Sequence, residues 1–443
     1  MTQSVASIAE SFRARTARSR EMYEAGTSFT AGPAKGAYYY RPYPLSMDRG
    51  EGCHLWDVDG NKYLDCANHH TAQVLGHNHP RVMEAVRTQM SRGLAVGAPM
   101  GPEAEIAEEM CRRVDSVDRI RFVNSGTEAT LHAIRLARGF SGKTKIAKLE
   151  GGYHGSHDLV EVSVAPPLDK AGPAHAPHSV PGAGGSSPSV ADEVLILPYN
   201  DEEAAERLIV ENRDDLACVI FDPRCGILHT RPEFARAVRR ITRENGVLLI
   251  FDEIVAFRSS PGGLQAVYGI DPDLTCFGKI VGGGFPVGAF GGRADMMDLL
   301  DNSKPPSGFS QSGTFSAHPL AMAAGLAMLR ELTPQACDHL NRLGDRLTSG
   351  LNEMFARKGI VAQCVNTGSV FSIYFSDREL RNYRDMTTVD SSLVSPTFLA
   401  LLEEGYFLGH TLGMCCLSLP MTDEDIDGLI EATGRAIARA QAE

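Results

Sequence analysis

The feature of this 443-residue chain that most limits its possible folds is an alternation of apolar runs with helical segments. From about residue 102 onward, runs such as RIRFV, LACVIF and VLLIFD alternate with segments of helical period such as TEATLHAIRLARGF and FARAVRRITRENG. Continuous apolar strands are typical of a parallel sheet that helices cover on both faces. The sequence therefore predicts an α/β fold with a mostly parallel sheet.

The two ends of the chain have a different pattern. Residues 45–66 contain short strand-like runs around the turn sequence DVDGN, which predicts a hairpin. After about residue 320, helical patterns precede a strand near SVFSIYF and a last helix at DEDIDGLIEATGRAIARAQ. We expect both ends to form a smaller α+β domain, with an N-terminal segment over 1–75, a large domain over 76–320 and a C-terminal domain over 321–443.

Charge and cysteine usage limit the partners. A formal net charge of -12 argues against nucleic acid or an anionic membrane as the main partner, so we expect a small-molecule substrate. We find no apolar run of about 18 residues and no signal-like N-terminus. The ten cysteines form no CxxC motif. This usage predicts buried thiols in a reducing, cytoplasmic compartment, with neither a disulfide framework nor a metal site.

Two strand ends carry candidate catalytic groups. The run VLLIFDE ends in Asp252 and Glu253, at the edge where open α/β sheets bind ligands. A carboxylate there can favour the protonated form of a heteroaromatic nitrogen, although such a residue also commonly caps a helix. The next short strand, LTCFG, is followed by Lys279 and then by glycines. A lysine desolvated in this setting can act as a nucleophilic amine, whereas a lysine that only extends to solvent would not.

Three further segments offer binding groups. In VNSGTEAT, a strand ends and a helix begins, so Ser125, Gly126 and Thr127 can bind a phosphate or simply cap the helix. The segment GGYHG offers Tyr153 or His154 to stack on a flat ring. The hydroxyls and N–H groups of 312–314, before a helix that starts with proline, can complete phosphate binding, either in the same subunit or from another one. Residues 165–191, rich in Pro, Gly and Ser, predict either a flexible insertion or a lid.

Taken together, these motifs resemble the class III aminotransferases. The likeness rests on NSGTEA, GGYHG, the strand-end aspartate, FGK, GGG and GTFSAHPLAMAAG, and it extends to HLWDVDG, GHNHP and LSLPMTDEDID. Within that family the chain is most similar to the branch of glutamate-1-semialdehyde aminomutase and β-amino-acid aminotransferases.

The resemblance implies a pyridoxal 5′-phosphate (PLP) enzyme of fold type I. It implies a large domain with a mostly parallel seven-stranded sheet and a homodimer with active sites at the interface. Lys279 would hold PLP as a Schiff base and move protons, while Asp252 would pair with the ring nitrogen. The remaining PLP contacts that the resemblance implies are Ser125, Gly126, Thr127, Tyr153, His154 and, from the other subunit, Thr314.

The chain also departs from the family pattern. Where many members have Glu-Pro and then a Gln near the cofactor, this chain has FDPRCG, in which Asp222 replaces the Glu. Arg224 and Cys225 are therefore candidate substrate-binding residues, although the change could also be a conservative shortening that leaves the reaction the same. No Arg or Lys lies between residues 405 and 427, where other branches bind a substrate carboxylate. Lys35 or Arg41 near the N-terminus could serve instead, and the sequence does not decide between them.

A histidine pair distinguishes the predicted pocket. His69 and His70 lie in CANHHTAQVLGH, where relatives carry other residues. Paired imidazoles could contact a hydroxylated or carboxylated substrate, or they could be core side chains bonded to the backbone. We therefore hypothesise a carboxylate-bearing, non-standard substrate, either a β-amino or a cyclic or hydroxylated compound.

The main functional prediction is amino transfer between a donor amine and a keto or aldehyde acceptor. The alternative is an intramolecular aminomutase or an epimerase, because these enzymes would use the same cofactor residues. A third, weaker hypothesis is a non-catalytic cofactor-binding protein.

Overall fold

The architecture is taken from a computed structural model of the chain. It describes residues 3–32, 39–182, 184–228, 230–303 and 309–442. The chain divides into two compact units, each of which draws on more than one stretch of sequence.

The strands and helices in the described residues are numbered in chain order. The strands are β1 Met47–Glu51, β2 His54–Asp57, β3 Lys62–Asp65, β4 Arg119–Val123, β5 Lys145–Leu149, β6 Val194–Leu197, β7 Leu216–Phe221, β8 Leu248–Asp252, β9 Leu274–Gly278, β10 Gly288–Gly292, β11 Gln363–Thr367, β12 Val370–Tyr374, β13 Tyr406–Phe407 and β14 Cys415–Cys416. The helices are α1 Gln3–Arg15, α2 Ala17–Thr27, α3 Asn68–Thr71, α4 Pro80–Arg92, α5 Gly101–Arg113, α6 Gly126–Ser141, α7 Glu202–Asn212, α8 Pro232–Glu244, α9 Gly263–Tyr268, α10 Ala294–Met297, α11 Pro319–Glu331, α12 Pro334–Lys358, α13 Tyr383–Met386, α14 Val394–Glu403 and α15 Asp423–Gln441.

The larger unit comprises residues 81–337 and 380–387 and is built on a seven-stranded sheet. The strand order is β4-β10-β9-β8-β7-β5-β6, and β10 runs antiparallel to both of its neighbours. The pairs from β9 to β6 are all parallel. The predicted mostly parallel, seven-stranded sheet of fold type I is therefore confirmed.

The sequence explains why the central strands of this sheet are covered on both faces. Every residue of β7, β8, β9 and β10 is buried, as expected for strands that lie between two layers of helices. Helix α6 packs on the sheet through Ala129, Ala133, Ile134 and Ala137. The carboxyl ends of the parallel strands consequently meet at one edge, which carries the polar residues of the candidate site.

The other unit comprises residues 1–80, 338–379 and 388–443. It contains a four-stranded sheet, in the order β1-β2-β3-β13, and a three-stranded sheet, in the order β11-β12-β14. Strands β2 and β3 form the predicted antiparallel hairpin. Side chains from α12, α14 and α15 supply much of the apolar core, including Leu347, Phe398 and Leu429. The stretches that this unit takes from both ends of the chain give it an α+β composition.

Within the described ranges, no helix combines the length and the apolar character needed to cross a membrane.

Candidate active site

The carboxylate that ends β8 forms a buried hydrogen bond with a histidine. Asp252 Oδ2 lies 2.8 Å from Nδ1 of His154, and Asp252 Oδ1 accepts the N–H of Ile254 at 3.1 Å. The residues are only 6% and 1% exposed. Because an ionised carboxylate can only accept, the His154 proton in this pair belongs on Nδ1. This pairing of His154 with Asp252 is a contact that the sequence did not predict.

A second hydrogen bond holds the backbone of this histidine. The hydroxyl of Thr130, on the buried face of α6, donates to the carbonyl of His154 at 2.7 Å. The Nε2 atom of His154 is buried and has no hydrogen-bond partner in the described part of the chain. The imidazole is therefore fixed on its Nδ1 side and at its main chain.

Lys279 follows directly on β9, the strand next to β8. Asp252 pairs in register with Cys276, so Lys279 lies three positions beyond the level of the carboxylate on the neighbouring strand. Its φ is +49°, a left-handed conformation that is uncommon for a residue with a side chain. Such conformations cluster at functional sites, where the surrounding structure maintains them. Register thus brings the predicted amine and the predicted carboxylate to the same edge of the sheet.

The predicted phosphate-binding segment lies at the N-terminus of α6. Ser125 is the N-cap, and its side chain accepts the N–H of Glu128 at 3.2 Å. The hydroxyl of Thr127 accepts the N–H of Ser156 at 3.2 Å. A Cβ on Gly155, whose φ is +98°, would lie 2.5 Å from that hydroxyl oxygen. Gly155 therefore allows the segment after Tyr153 to approach the helix end.

Ile254 connects the phosphate-binding segment with the two strand ends. A Cβ on Gly126 would lie 2.7 Å from its Cδ1, and a Cβ on Gly278 would lie 3.4 Å from its Cγ2. The N–H of Ile254 also donates to Asp252. The helix N-terminus, the carboxylate and the residue before Lys279 thus surround one side chain, which the sequence motifs alone did not indicate.

The segment FDPRCG, which departs from the family pattern, contacts the main chain of Tyr153. Asp222 accepts the N–H of Tyr153 at 3.3 Å through Oδ2, and the N–H of Arg224 at 2.8 Å through Oδ1. The guanidinium of Arg224 lies 4.0 Å from Oδ2 of Asp222, and the Arg224 side chain is 18% exposed. Asp222 therefore positions the main chain of Tyr153, a role that the sequence did not predict. The Tyr153 side chain is 53% exposed in the single chain.

A buried lysine lies beneath the GGYHG turn. Nζ of Lys148 donates to the carbonyls of Gly152 at 2.9 Å and Val162 at 2.6 Å, and the residue is fully buried. Burial lowers the pKa of Lys148 to about 7. Sequence reasoning missed this residue, although a lysine in the middle of the apolar run KIAKL was a visible signal.

The remaining predicted residues lie in different places. Cys225 is 2% exposed, and burial raises the pKa of its thiol to about 12, so the thiol is neutral. Thr314 is exposed, and a Cβ on the preceding Gly313 would lie 3.3 Å from Nδ2 of Asn124 in the same chain. Arg41 belongs to the other compact unit, and Lys35 lies outside the described residues.

His69 and His70 lie in a strained turn of that other unit. Four consecutive residues, 68–71, have φ between 48° and 75°, so that α3 is a left-handed turn. His69 is exposed and His70 is half-buried. Asp65 accepts the N–H groups of Ala67 and Asn68 at 3.0 and 2.9 Å, which stabilises the entry to the turn. A turn this costly at two histidines supports a functional role for them.

These groups fit the PLP that the family resemblance implies. PLP has an anionic phosphate, a basic ring nitrogen and an aldehyde. The capped N-terminus of α6 suits the phosphate, the buried carboxylate of Asp252 suits the protonated nitrogen, and the amine of Lys279 suits the aldehyde. A side chain at Gly126 or Gly155 would collide with Ile254 or Thr127, so both glycines are needed for the observed shape of this segment.

Comparisons with known proteins agree with this chemistry. The family model for class III aminotransferases matches residues 36–437. The chain is 37% identical over 421 residues to a glutamate-1-semialdehyde 2,1-aminomutase of Methanocaldococcus jannaschii, covering 94% of this chain and 96% of that protein.

Two solved structures are similar over nearly their full length. An ω-transaminase from Sphaerobacter thermophilus superposes with a TM-score of 0.92 at 39% identity, covering 96% of this chain and 98% of that one. A β-phenylalanine aminotransferase from Variovorax paradoxus superposes with a TM-score of 0.89 at 35% identity, covering 99% and 98%.

Proposed function

This chain belongs to the class III aminotransferases, which are PLP-dependent, and we propose that it moves an amino group between a carboxylate-bearing, non-standard amine and a keto or aldehyde acceptor. The observation that carries the proposal is the convergence of Asp252, Lys279 and the N-terminus of α6 at one sheet edge. A β-amino compound, or a cyclic or hydroxylated one, is the substrate class that we favour.

Bound PLP supplies an electron sink for the negative charge that develops on the substrate carbon. The protein residues create the setting for that chemistry. Asp252, held by His154, presents a fixed negative charge to the ring nitrogen. Lys279 would contribute the amine that holds the aldehyde of PLP, and the same amine would be the group that moves a proton during amino transfer. The N–H groups at the start of α6, with Ser125 and Thr127, hold the phosphate.

The substrate proposal rests on charge. The C-terminal region has no Arg or Lys between residues 405 and 427, so a carboxylate must find its cation elsewhere. We propose Lys35 or Arg41 for this role, with Arg224 as a third candidate beside Tyr153. A guanidinium binds a carboxylate with two parallel hydrogen bonds, which favours an arginine. The name of the V. paradoxus relative, a β-phenylalanine aminotransferase, is consistent with a β-amino substrate.

Intramolecular amino transfer is the second candidate. It is favoured by the M. jannaschii relative, whose name is glutamate-1-semialdehyde 2,1-aminomutase. Aminomutases and transaminases need the same residues around PLP, so the sites described above support both.

We also propose a cytoplasmic homodimer. All ten cysteines are free thiols and nine of them are buried, which suits a reducing compartment. Tyr153 at 53% exposure and Phe315 at 60% are large apolar groups beside the candidate site, and a second subunit would cover them.

The experiment that tests the function is a spectral screen of the holoenzyme. Each candidate amine is added with and without a keto acid, and conversion of bound PLP to its amino form is followed by absorbance. We expect β-amino acids to convert the cofactor and to turn over only with an acceptor. Turnover without an acceptor would replace the transaminase proposal by the aminomutase one, and no conversion by any amine would overturn both.

A further inference from the structure

Arg384 connects three parts of the larger unit through one guanidinium. It lies in α13, within the stretch 380–387, which belongs to the larger unit although the chain on both sides belongs to the other unit. Nε and Nη2 of Arg384 donate to the two carboxylate oxygens of Glu150 at 3.2 and 3.0 Å. The same guanidinium donates to the carbonyls of Gly172 at 2.8 Å and Ala171 at 3.1 Å. A planar fork with five N–H donors is the side chain suited to such a junction.

Glu150 makes this junction part of the candidate active site. It follows β5 and directly precedes the GGYHG turn that carries Tyr153 and His154. Its side chain is only 3% exposed, whereas that of Arg384 is 22% exposed. A buried carboxylate needs a charged partner, and in the described residues its ion pair is with Arg384. Loss of the guanidinium would therefore disturb the chain immediately before the catalytic turn.

Tyr383, the residue before Arg384, contacts the same two segments. A Cβ on Gly151 would lie 2.6 Å from the Tyr383 ring, so the ring packs directly on the start of the turn. The Tyr383 hydroxyl donates to the carbonyl of Pro166 at 2.9 Å. Helix α13 thus touches both the turn and the segment that begins near residue 165.

That segment, which the sequence predicted to be a flexible insertion or a lid, is connected to the turn through Ser163, which lies just before it. The N–H of Gly151 donates to the carbonyl of Ser163 at 2.8 Å, and the N–H of Ser163 donates to the carbonyl of Val180 at 2.7 Å. The neighbouring residue is also held, because Nζ of Lys148 donates to the carbonyl of Val162. Residues 162 and 163 are therefore attached to the turn and, through residue 180, to the segment that follows them.

We propose that Arg384 is a positioning residue for amino transfer, which holds the 165–173 segment and the carboxylate of Glu150 together so that Tyr153 and His154 keep their places. The proposal rests on the proposed function because it assigns cofactor contacts to that turn. We call α13, with the contacts of Arg384 to Glu150 and to residues 171 and 172, the clamp.

The test compares Arg384→Met with Arg207→Met in the PLP-bound enzyme. Arg207 is a matched control because it donates to the carbonyl of His175 in the same segment at 2.8 Å but is exposed and does not contact Glu150. Hydrogen exchange is measured by mass spectrometry for the peptides 145–154 and 162–182. The absorbance of bound PLP, its dependence on pH, kcat and KM are measured in parallel.

For Arg384→Met we expect faster exchange in both peptides, an altered pH dependence of the PLP absorbance and a loss in kcat of about 10²-fold. We expect Arg207→Met to change kcat by less than about twofold. Arg384→Lys keeps the charge without the fork and should recover part of the exchange protection and of the rate. Glu150→Gln, a second route to the same junction, should accelerate exchange in the same two peptides.

If peptide 145–154 exchanges in Arg384→Met at the same rate as in the wild type, the proposal is overturned. Equal losses of kcat in Arg384→Met and Arg207→Met would also overturn it. If Arg384→Met fails to fold, hydrogen exchange of the same two peptides in Arg384→Lys and Glu150→Gln tests the proposal instead. Hydrogen exchange does not need a known substrate, so failure of the proposed function, seen as no reaction of the wild type with any amine, is distinguishable from failure of the clamp.

Discussion

Nδ1 of His154 lies 2.8 Å from Oδ2 of Asp252, and both residues are almost fully buried. The carboxylate is thereby fixed at the carboxyl end of β8, where we propose that it pairs with the ring nitrogen of PLP. In a site that excludes water, a charge held in one orientation interacts more strongly than a mobile charge. We therefore propose that the histidine acts through the aspartate.

Replacing His154 should weaken catalysis without removing PLP. We expect His154→Ala to lower kcat/KM by about 10²-fold, because Asp252 loses the partner that orients it. The pH dependence of the PLP absorbance should shift as well. His157→Ala is the control, since His157 contacts Thr130 rather than Asp252, and burial lowers its pKa to about 4 so that it is neutral at pH 7. Equal effects of both changes would argue against a specific role for His154.

Lys279 should be the only lysine that binds PLP covalently. After borohydride reduction of the holoenzyme, we expect mass spectrometry to find the pyridoxyl group on the peptide that contains Lys279. Lys279→Ala should lose this label and lose turnover, because no other amine can replace it. Lys145→Ala, which changes a partly exposed lysine near Asp215, should keep both. A label on another lysine in the wild type would refute the assignment.

Gly155 should be required for phosphate binding. In Gly155→Ala the new Cβ would lie 2.5 Å from the Thr127 hydroxyl oxygen, so we expect a lower affinity for PLP in fluorescence titration. Gly142→Ala is a matched control: φ is +72° and a Cβ there has no atom within 4 Å. Both changes should cost about 1 kcal/mol in backbone strain, but only Gly155→Ala should weaken PLP binding. Equal PLP affinities for the two variants would contradict the assigned phosphate site.

Glu253 should make stability depend on pH. It is fully buried, and burial raises its pKa from 4.5 to about 7. Between these pH values the folded protein binds a proton that the unfolded chain has released, so its contribution to stability falls as pH rises. The free energy of unfolding of the wild type, relative to Glu253→Gln, should therefore decrease by about 3 kcal/mol from pH 4.5 to 8. Denaturant titrations at several pH values measure this difference, and a flat profile would contradict the prediction.

Two substitutions of His69, in the left-handed turn 68–71, can distinguish backbone strain from a function of the imidazole. His69→Gly should raise the free energy of unfolding by about 1 kcal/mol, because glycine tolerates a φ of +50°. His69→Ala removes the same ring but keeps the Cβ, so it should not give this gain. If the imidazole contacts substrate, both variants should have the same raised KM. Equal stability of the two variants would show that the turn is not strained at His69.

Local sequence features predicted much of the site. Ser125 precedes a helical pattern, Asp252 and Lys279 each end an apolar run, and Gly126 lies at a strand-to-helix junction. Each of these positions follows from a periodicity or from a turn residue. The parallel register of β8 with β9 then brings Asp252 and Lys279 to one edge of the sheet. Strand β4 ends at the same edge, because it and β9 both run antiparallel to β10.

Other roles were not predictable because they depend on residues far apart in the chain. The bond between His154 and Asp252 joins positions 98 residues apart, and the contact of Arg384 with Glu150 spans 234. Asp222 could be noted as a departure from the family, but its contact with the N–H of Tyr153 is visible only in the fold. Neither periodicity nor composition encodes which of several buried charges will meet.

The sequence by itself determined the class of fold and the polar residues that end the strands of the candidate site, because alternating apolar patterns and turn residues act over a few positions. The cofactor followed from the resemblance of the motifs to the class III aminotransferases. Only the tertiary structure decided how these residues are held. Nδ1 of His154 pairs with Asp252, a contact that the sequence did not predict, and Arg384 joins Glu150 to a segment that the sequence predicted to be either a flexible insertion or a lid. The physical reason is burial: once water is excluded, each polar group must find a partner, and packing rather than sequence distance selects it.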